Sequence, residues 1–236
     1  MKGFFITIFS VLMLVCGSTY SKCLTDYIDL YVGADGQIRH MKFNSGFGDN
    51  ILRKSSPQAN IYVGIKITEN TAIEIGHETT ITKGKKITLK EGDVINGFII
   101  PRVLSPIIFE TKSKVKGLHF DWVFFNKPFE CSKFQLLGSI GISSLKGTVE
   151  RKTIQMSYPP IYGGRNRTMS KRSAALRFTG GWQYYFNNNF GIRNTFSFVR
   201  TGKMVIKADD GIPGIVIPKV LPKDSLVVGL GVLYRF

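Results

Sequence analysis

The chain has 236 residues, of which 43% are hydrophobic and 12% aromatic, and its formal net charge is +16. This length fits a single domain, and after the N-terminus no run of roughly 18 apolar residues occurs, which excludes a predicted transmembrane helix. The charge indicates anionic partners but carries no information about the fold.

The N-terminus has the order of a secretory signal peptide. Lys2 precedes an apolar run over 3–15, and small polar residues follow. Cys16 is not expected to be lipidated, because a valine precedes it where a lipobox has Gly, Ala or Ser. We therefore expect residues 1–21 to be the signal peptide and 22–236 to be the exported domain.

Eight segments then alternate between apolar and other residues with a period of two, as strands with one apolar face do. Each is close to the 9–11 residues, roughly, that a tilted strand needs to cross a bilayer. All nine prolines fall outside these segments, as expected for residues that cannot donate to a ladder. The predicted strands are 27–35, 58–68, 72–82, 115–126, 133–145, 174–186, 190–200 and 224–236.

The connections between these strands alternate in length. Short ones lie at Glu69–Thr71, near Pro128 and at Asn187–Asn189, and Asn-rich turns accept the positive φ of hairpins. The long ones are predicted to be loops over 36–57, 83–114, 146–173 and 201–223. Short turns at one end and long loops at the other predict an all-β fold, an eight-stranded antiparallel up-and-down transmembrane β-barrel.

The two faces of the predicted strands differ in bulk. A narrow eight-stranded barrel holds only side chains, so the bulkier apolar face is predicted to point outward, to lipid. A soluble lipocalin-like barrel would have the opposite arrangement. The inward face is expected to carry a salt-bridge network that closes the lumen, with a gated ion path as the alternative. Its members are Asp29, Lys66, Glu74, Glu78, His119, Asp121, Arg177, Arg193 and Arg235.

Three segments resemble a known family. The closing segment Leu226–Phe236, the opening Tyr31–Asp35 and the hairpin Tyr62–Glu74 resemble the OmpA-like, or surface-antigen, eight-stranded outer-membrane barrels. The resemblance implies a Gram-negative outer-membrane location. It also implies recognition of the last strand, with Tyr234 and Phe236, by the barrel assembly machinery. Relatives of this kind include adhesins, surface antigens and weak pores. The chain lacks the peptidoglycan-binding domain of full-length OmpA proteins, so no cell-wall anchoring is expected.

Basic residues are concentrated in the predicted loops. Arginine forks match phosphate and sulfate, so these loops are expected to bind lipopolysaccharide phosphates or host sulfated glycans. The alternative is that they only neutralise neighbouring lipid phosphates, and nucleic acid is not an expected partner. The candidate residues are Lys83, Lys85, Lys86, Lys146, Arg151, Lys152, Arg165, Arg167, Lys171 and Arg172.

No catalytic motif, metal site or cofactor site is evident in the sequence. His40 has Ser45 and Asp49 nearby in its predicted loop, which is weak support for a lipid A-modifying enzyme, and we expect no enzymatic activity. Cys23 and Cys131 are predicted at the same end of the barrel but on nearly opposite sides. A disulfide, which needs Cα atoms within about 7 Å, would require the N-terminal tail to cross beneath the barrel.

Taken together, these features predict a monomeric outer-membrane surface protein in contact with outer-membrane lipids and lipopolysaccharide. Its expected roles are envelope structure and adhesion through basic loops. A narrow porin-like channel for small solutes is the alternative.

Overall fold

A computed structural model of the chain describes residues 29–45, 54–81, 84–92, 94–95, 98–99, 107–128, 133–155, 167–202 and 220–236. The strands are β1 (Leu30–Ser45), β2 (Ser55–Thr68), β3 (Thr71–Thr80), β4 (Gly84–Leu89), β5 (Val94–Ile95), β6 (Phe98–Ile99), β7 (Ile107–Asn126), β8 (Phe134–Gln155), β9 (Arg167–Tyr185), β10 (Phe190–Thr201) and β11 (Val220–Arg235). Within these ranges no helix is long and apolar enough to cross a membrane.

Eight of the strands form a closed antiparallel barrel in the order β1, β2, β3, β7, β8, β9, β10, β11. Closure comes from two pairings, β3 with β7 and β11 with β1. β4 pairs with the N-terminal part of β7, which extends past β3, and so lengthens the barrel wall there. β5 and β6 form a separate two-stranded pair. The predicted up-and-down barrel is therefore confirmed.

The barrel has two different ends. The turns β2–β3, β7–β8 and β9–β10 lie at one end, here called the short-turn end, and the other connections lie at the long-connection end. At the β9–β10 turn the Asn187 side-chain oxygen accepts from the backbone N–H groups of Asn189 and Phe190. Such a local bond is the reason that asparagine favours tight turns.

Every predicted strand is present, but the predicted long loops were wrong in part. The strands continue well beyond the alternating segments at the long-connection end, most of all β7, which begins at Ile107, and β8, which ends at Gln155. Beyond the apolar segment both faces of these strands carry polar residues, so the hydrophobic alternation that marks a half-buried strand is lost.

Two prolines lie inside strands, contrary to prediction. Pro57 is opposite Ile38 near the start of β2, and Pro222 is opposite Phe43 in β11. The register between β1 and β11 shifts between Met41 and Phe43, which places Pro222 at an irregularity of the ladder. Strand starts and bulges are the positions where a missing N–H is tolerated.

The outward face is apolar over the part of the barrel near the short-turn end, as predicted. Ile142 and Val232, for example, are 62% and 60% exposed, which is the opposite of a soluble barrel. Aromatic side chains collect at the short-turn edge of this face. Their ring contacts join Trp122 to Phe124, Phe134 to Trp182, Tyr184 to Phe186, Phe190 to Tyr234, and Tyr234 to Phe236. An aromatic girdle of this kind is typical of membrane interfaces.

Candidate functional site

The lumen is built in three layers, of which two are apolar. On β1 the inward residues run from Tyr31 through Asp35 and Arg39 to Met41, and on β7 they run from Val123 back to Val115 through polar residues. One apolar cluster, here called the lower apolar layer, lies toward the short-turn end: Tyr31, Tyr62, Ala72, Val123, Phe125 and Leu137. The other, the upper apolar layer, lies toward the long-connection end: Met41, Val115, Leu145, Val149, Ala175, Val199 and Val227. The predicted charge network is the middle layer, and the apolar layers on both sides of it were not predicted.

Glu78 is the centre of the charge network next to the upper apolar layer. Arg39 Nη2 donates to its Oε1 at 2.6 Å, and Arg177 Nη1 donates to its Oε2 at 3.0 Å. Gln58 adds a third donor at 2.9 Å. Arg39 and Glu78 are 0% and 1% exposed, so both charges depend on this pairing for their solvation.

A second group of polar side chains surrounds His119. Its Nδ1 lies 2.5 Å from Asp121 Oδ2, and its Nε2 lies 2.9 Å from Asn60 Oδ1. The Asn60 amide nitrogen donates to Asp35 at 3.2 Å, which orients the Asn60 oxygen toward the ring. Both ring nitrogens thus lie within hydrogen-bond distance of a side-chain oxygen, which fixes the orientation of the imidazole in the lumen.

The third group lies next to the lower apolar layer. Tyr31 donates to Glu74 Oε1 at 2.5 Å, and Arg193 Nη1 donates to the same oxygen at 2.7 Å. The Arg193 guanidinium also lies over the Tyr62 ring, 4.9 Å from its centroid. Glu74 is therefore held by a phenol and a guanidinium that are themselves packed against the aromatic cluster.

The buried charges nearly balance. Four carboxylates, those of Asp35, Glu74, Glu78 and Asp121, share the middle layer with three arginines, Arg39, Arg177 and Arg193. Sequence reasoning missed Asp35 and Arg39. Arg39 fell in a segment predicted to be a loop, and only the continuation of β1 brings it into the lumen.

Three residues predicted for this network lie elsewhere. Asp29 and Arg235 form a two-pronged ion pair at the short-turn rim, with N–O distances of 2.7 and 2.6 Å, and Lys66 lies 3.2 Å from the same carboxylate. The lower apolar layer separates this rim cluster from the central network. The sequence analysis grouped these three residues with the central ones, because inward parity alone does not give a residue's height along the barrel.

A small cavity of about 10 Å³ lies within the polar layer. That is close to the roughly 10–15 Å³ that one buried water needs. The cavity lining includes two buried carboxylate oxygens that bond no protein group, Asp35 Oδ1 and Asp121 Oδ1. Two such acceptors suit a water molecule, and the cavity has no room for a solute.

His40 was predicted to lie in a loop. In the structure it lies on β1, where it faces outward. Its Nδ1 lies 2.9 Å from Ser55 Oγ on β2. In the part of the chain that the structure describes, no carboxylate is bonded to His40, and Asp49 lies outside the described residues. The same ranges contain no group of three His, Cys, Asp or Glu side chains that could hold a metal ion.

The predicted basic loop residues lie largely on strands. Lys146, Lys152, Lys171 and Arg172 are exposed on β8 and β9 beyond the apolar belt. Arg151 and Arg167 are opposite each other in the β8–β9 register, and Lys85 and Lys86 lie on β4, opposite β7. Lys83, Arg165, Cys23 and Cys131 lie outside the described residues. Among the described residues, the basic surface is therefore carried by extended barrel walls.

Comparisons with known proteins agree with this architecture. No family model matches the chain, and no curated protein matches its sequence. Among solved structures, Neisserial surface protein A has a TM-score of 0.53 at 15% identity, covering 88% of this chain and 97% of its own. A major outer membrane protein of Thermus thermophilus has a TM-score of 0.57 at 13% identity, covering 89% and 100%.

OprG from Pseudomonas aeruginosa is similar as well, with a TM-score of 0.52 at 12% identity over 88% of this chain and 96% of its own. Likeness at such low identity is a likeness of fold. This chain has the fold of the small outer-membrane β-barrels, as the resemblance seen in the sequence implied.

Proposed function

We propose that this chain is an outer-membrane surface protein whose extended walls bind anionic glycans or lipopolysaccharide phosphates. The observation that carries the proposal is the basic surface on β8 and β9 beyond the apolar belt. There Lys146 and Arg172 lie opposite each other on the outward face, and both are exposed. Lys171 is also exposed, but it lies on the other face of the wall, opposite Gly147.

Phosphate and sulfate are the groups that such a surface suits best. An arginine can bind either oxyanion with two parallel hydrogen bonds, and neighbouring lysines add point charges. Because the cations are exposed and their attraction is screened by salt, binding through them falls as ionic strength rises. Rigid strands also hold the cations at fixed spacing, which reduces the entropy lost on binding.

The sealed lumen supports a binding or structural role over solute transport. Two apolar layers enclose a polar layer in which the charges are paired. An ion crossing this path would have to pass apolar side chains at both ends and disrupt buried ion pairs, each of which is costly.

The experiment that tests the proposal is binding of the refolded barrel to heparin and to lipopolysaccharide across a salt series. The variant R165Q/R167Q/K171Q/R172Q removes four cations from the long-connection end. We expect salt-sensitive binding by the native barrel and a loss of both affinity and salt dependence in the variant.

A matched pair of variants separates position from net charge. K171Q/R172Q and K127Q/K133Q each remove two exposed cations, the first at the long-connection end and the second at the short-turn end. Weaker binding by the first variant alone supports the proposal. Equal binding by both variants and the native barrel would contradict it.

A further inference from the structure

Four successive strands each carry a cation at the edge of the apolar belt. Lys116 on β7, Lys146 on β8, Arg172 on β9 and Arg200 on β10 are the first charged residues on the outward face of these strands beyond the belt. We call these four residues the boundary arc. On the next strand, β11, the corresponding residue is the acidic Asp224, so the arc occupies one side of the barrel.

The register of the strands brings three of these cations side by side. Lys116 is directly opposite Lys146, and Lys146 is directly opposite Arg172. Side chains opposite each other on one face are about 5 Å apart at Cβ, and like charges in that arrangement repel. Within the described ranges none of the three forms an ion pair. An anion placed between the three cations would be attracted by all of them and would relieve their mutual repulsion.

Farther from the belt, Lys112 on the outward face has carboxylate neighbours. It lies 3.6 Å from Glu110 and is opposite Glu150 in the register. Among the described residues, the three adjacent cations of the boundary arc form no such ion pair. These three cations lie together at the edge of the apolar belt.

That height corresponds to the lipid headgroups. On β8 the apolar outward face runs from Phe134 to Ile142, about 26 Å of strand, which a tilt of roughly 40° reduces to about 20 Å across the membrane. Lys146 follows four residues after Ile142, at the second outward position beyond it. Between the bulky belt and the arc lie two small residues, Ser144 and Ala174, which are opposite each other. They leave space beneath Lys146 and Arg172 for a group at the membrane surface.

We propose that the boundary arc is a binding site for the phosphate groups of a phosphorylated glycolipid in the outer leaflet. The inference rests on the proposed function and narrows it, since it assigns one set of cations to a membrane lipid rather than to a soluble glycan. The outward direction of the arc favours the lipid, because a ligand there has its apolar part beside the exposed Ile142 and Leu176.

The test uses the full refolded barrel in detergent micelles, with lipid A carrying two phosphates and with dephosphorylated lipid A as probes. The binding constant is measured from the rise in the unfolding temperature, followed by the gel shift between folded and unfolded barrel, as the lipid is titrated. The variant K116Q/K146Q/R172Q is expected to bind the phosphorylated lipid roughly 100-fold more weakly, about fivefold for each cation lost near an anionic surface.

The matched control is K86Q/K90Q/K152Q, which removes the same charge from exposed sites higher on the wall. It is expected to retain most of its lipid A binding, as is K116R/K146R, which keeps the charges. Equal lipid A binding by the boundary variant and the native barrel would overturn the inference, as would equal binding of the dephosphorylated lipid.

Heparin binding distinguishes failure of this inference from failure of the proposed function. Suppose that the boundary variant, K116Q/K146Q/R172Q, binds lipid A normally, while R165Q/R167Q/K171Q/R172Q and K171Q/R172Q lose heparin binding. The proposed function then stands and the assignment of the arc is wrong. If no variant changes heparin binding but the boundary variant loses lipid A, the arc is a lipid site and the soluble-glycan role is wrong.

Discussion

Arg172 and Arg177 lie on the same strand, β9, and have opposite environments. Arg177 points into the lumen, is 4% exposed and pairs with Glu78, whereas Arg172 points outward and is exposed opposite Lys146. The side chain is the same in both cases, and strand parity decides its role. The buried arginine stabilises the fold through its ion pair, whereas the exposed arginine can bind a partner.

The largest effect is expected from removing the central carboxylate of the lumen. Glu78→Gln would leave Arg39 and Arg177 buried without a counter-charge, which should lower the free energy of unfolding by about 3–5 kcal/mol. Urea unfolding in lipid vesicles measures this. Glu110→Gln on the outer wall is the control, and a similar small loss in both variants would contradict the contrast between inner and outer charges.

A methyl group added inside the lower apolar layer should lower the free energy of unfolding somewhat less than Glu78→Gln does. Gly64 lies against the Tyr31 ring, and Gly33 lies reciprocally against the Tyr62 ring, so a Cβ at Gly64 would overlap an aromatic side chain. Gly64→Ala should destabilise the barrel by roughly 1–3 kcal/mol, as overpacking does. Gly180 has open space around it, and Gly180→Ala should unfold at nearly the native urea concentration.

The ion pair between Asp29 and Arg235 at the rim is expected to contribute less to the free energy of unfolding than the buried pairs. Asp29 and Arg235 are 26% and 40% exposed, so water and salt screen their attraction, and such pairs typically contribute about 1 kcal/mol or less. Asp29→Asn should therefore lower the unfolding free energy by that amount, with a smaller difference at high salt. A loss as large as that of Glu78→Gln would show that the rim cluster acts as a buried pair.

The smallest effect on stability is expected at the boundary arc. Lys146→Gln removes an exposed charge whose strand neighbours, Lys116 and Arg172, are also cations. The unfolding free energy should change by no more than about 0.5 kcal/mol, and slightly in the stabilising direction because a repulsion is removed. Substantial destabilisation would mean that Lys146 has a structural partner in the folded barrel.

The sequence predicted the membrane-spanning part of the fold because lipid on one side and a packed lumen on the other impose strict alternation. It did not predict the upper walls, where the outward faces of β8 and β9 are polar, so that Lys146 and Arg172 were assigned to a loop. Lumen parity was correct for Glu74, Glu78 and Arg193. It could not show that Asp29 and Arg235 belong to a separate cluster, because parity gives the face and not the height.

The partners in the lumen were also beyond the reach of sequence patterns. Arg39 and Glu78 meet only because β1 continues upward past Asp35, and the His119 contacts depend on the register between three strands. Register follows from closure of the whole barrel rather than from any local signal.

The pairing of β1 with β11 sets the order in which this barrel can be made. Asp29 and Arg235 are 206 positions apart, and the backbone N–H of Phe236 donates to the Leu30 carbonyl at 3.0 Å. Such a contact closes the longest loop in the chain, and contacts of high sequence separation form slowly. Until it forms, the first and last strands each expose an unpaired edge. Before closure, those two edges are therefore the part of the barrel that is open to pairing with another chain.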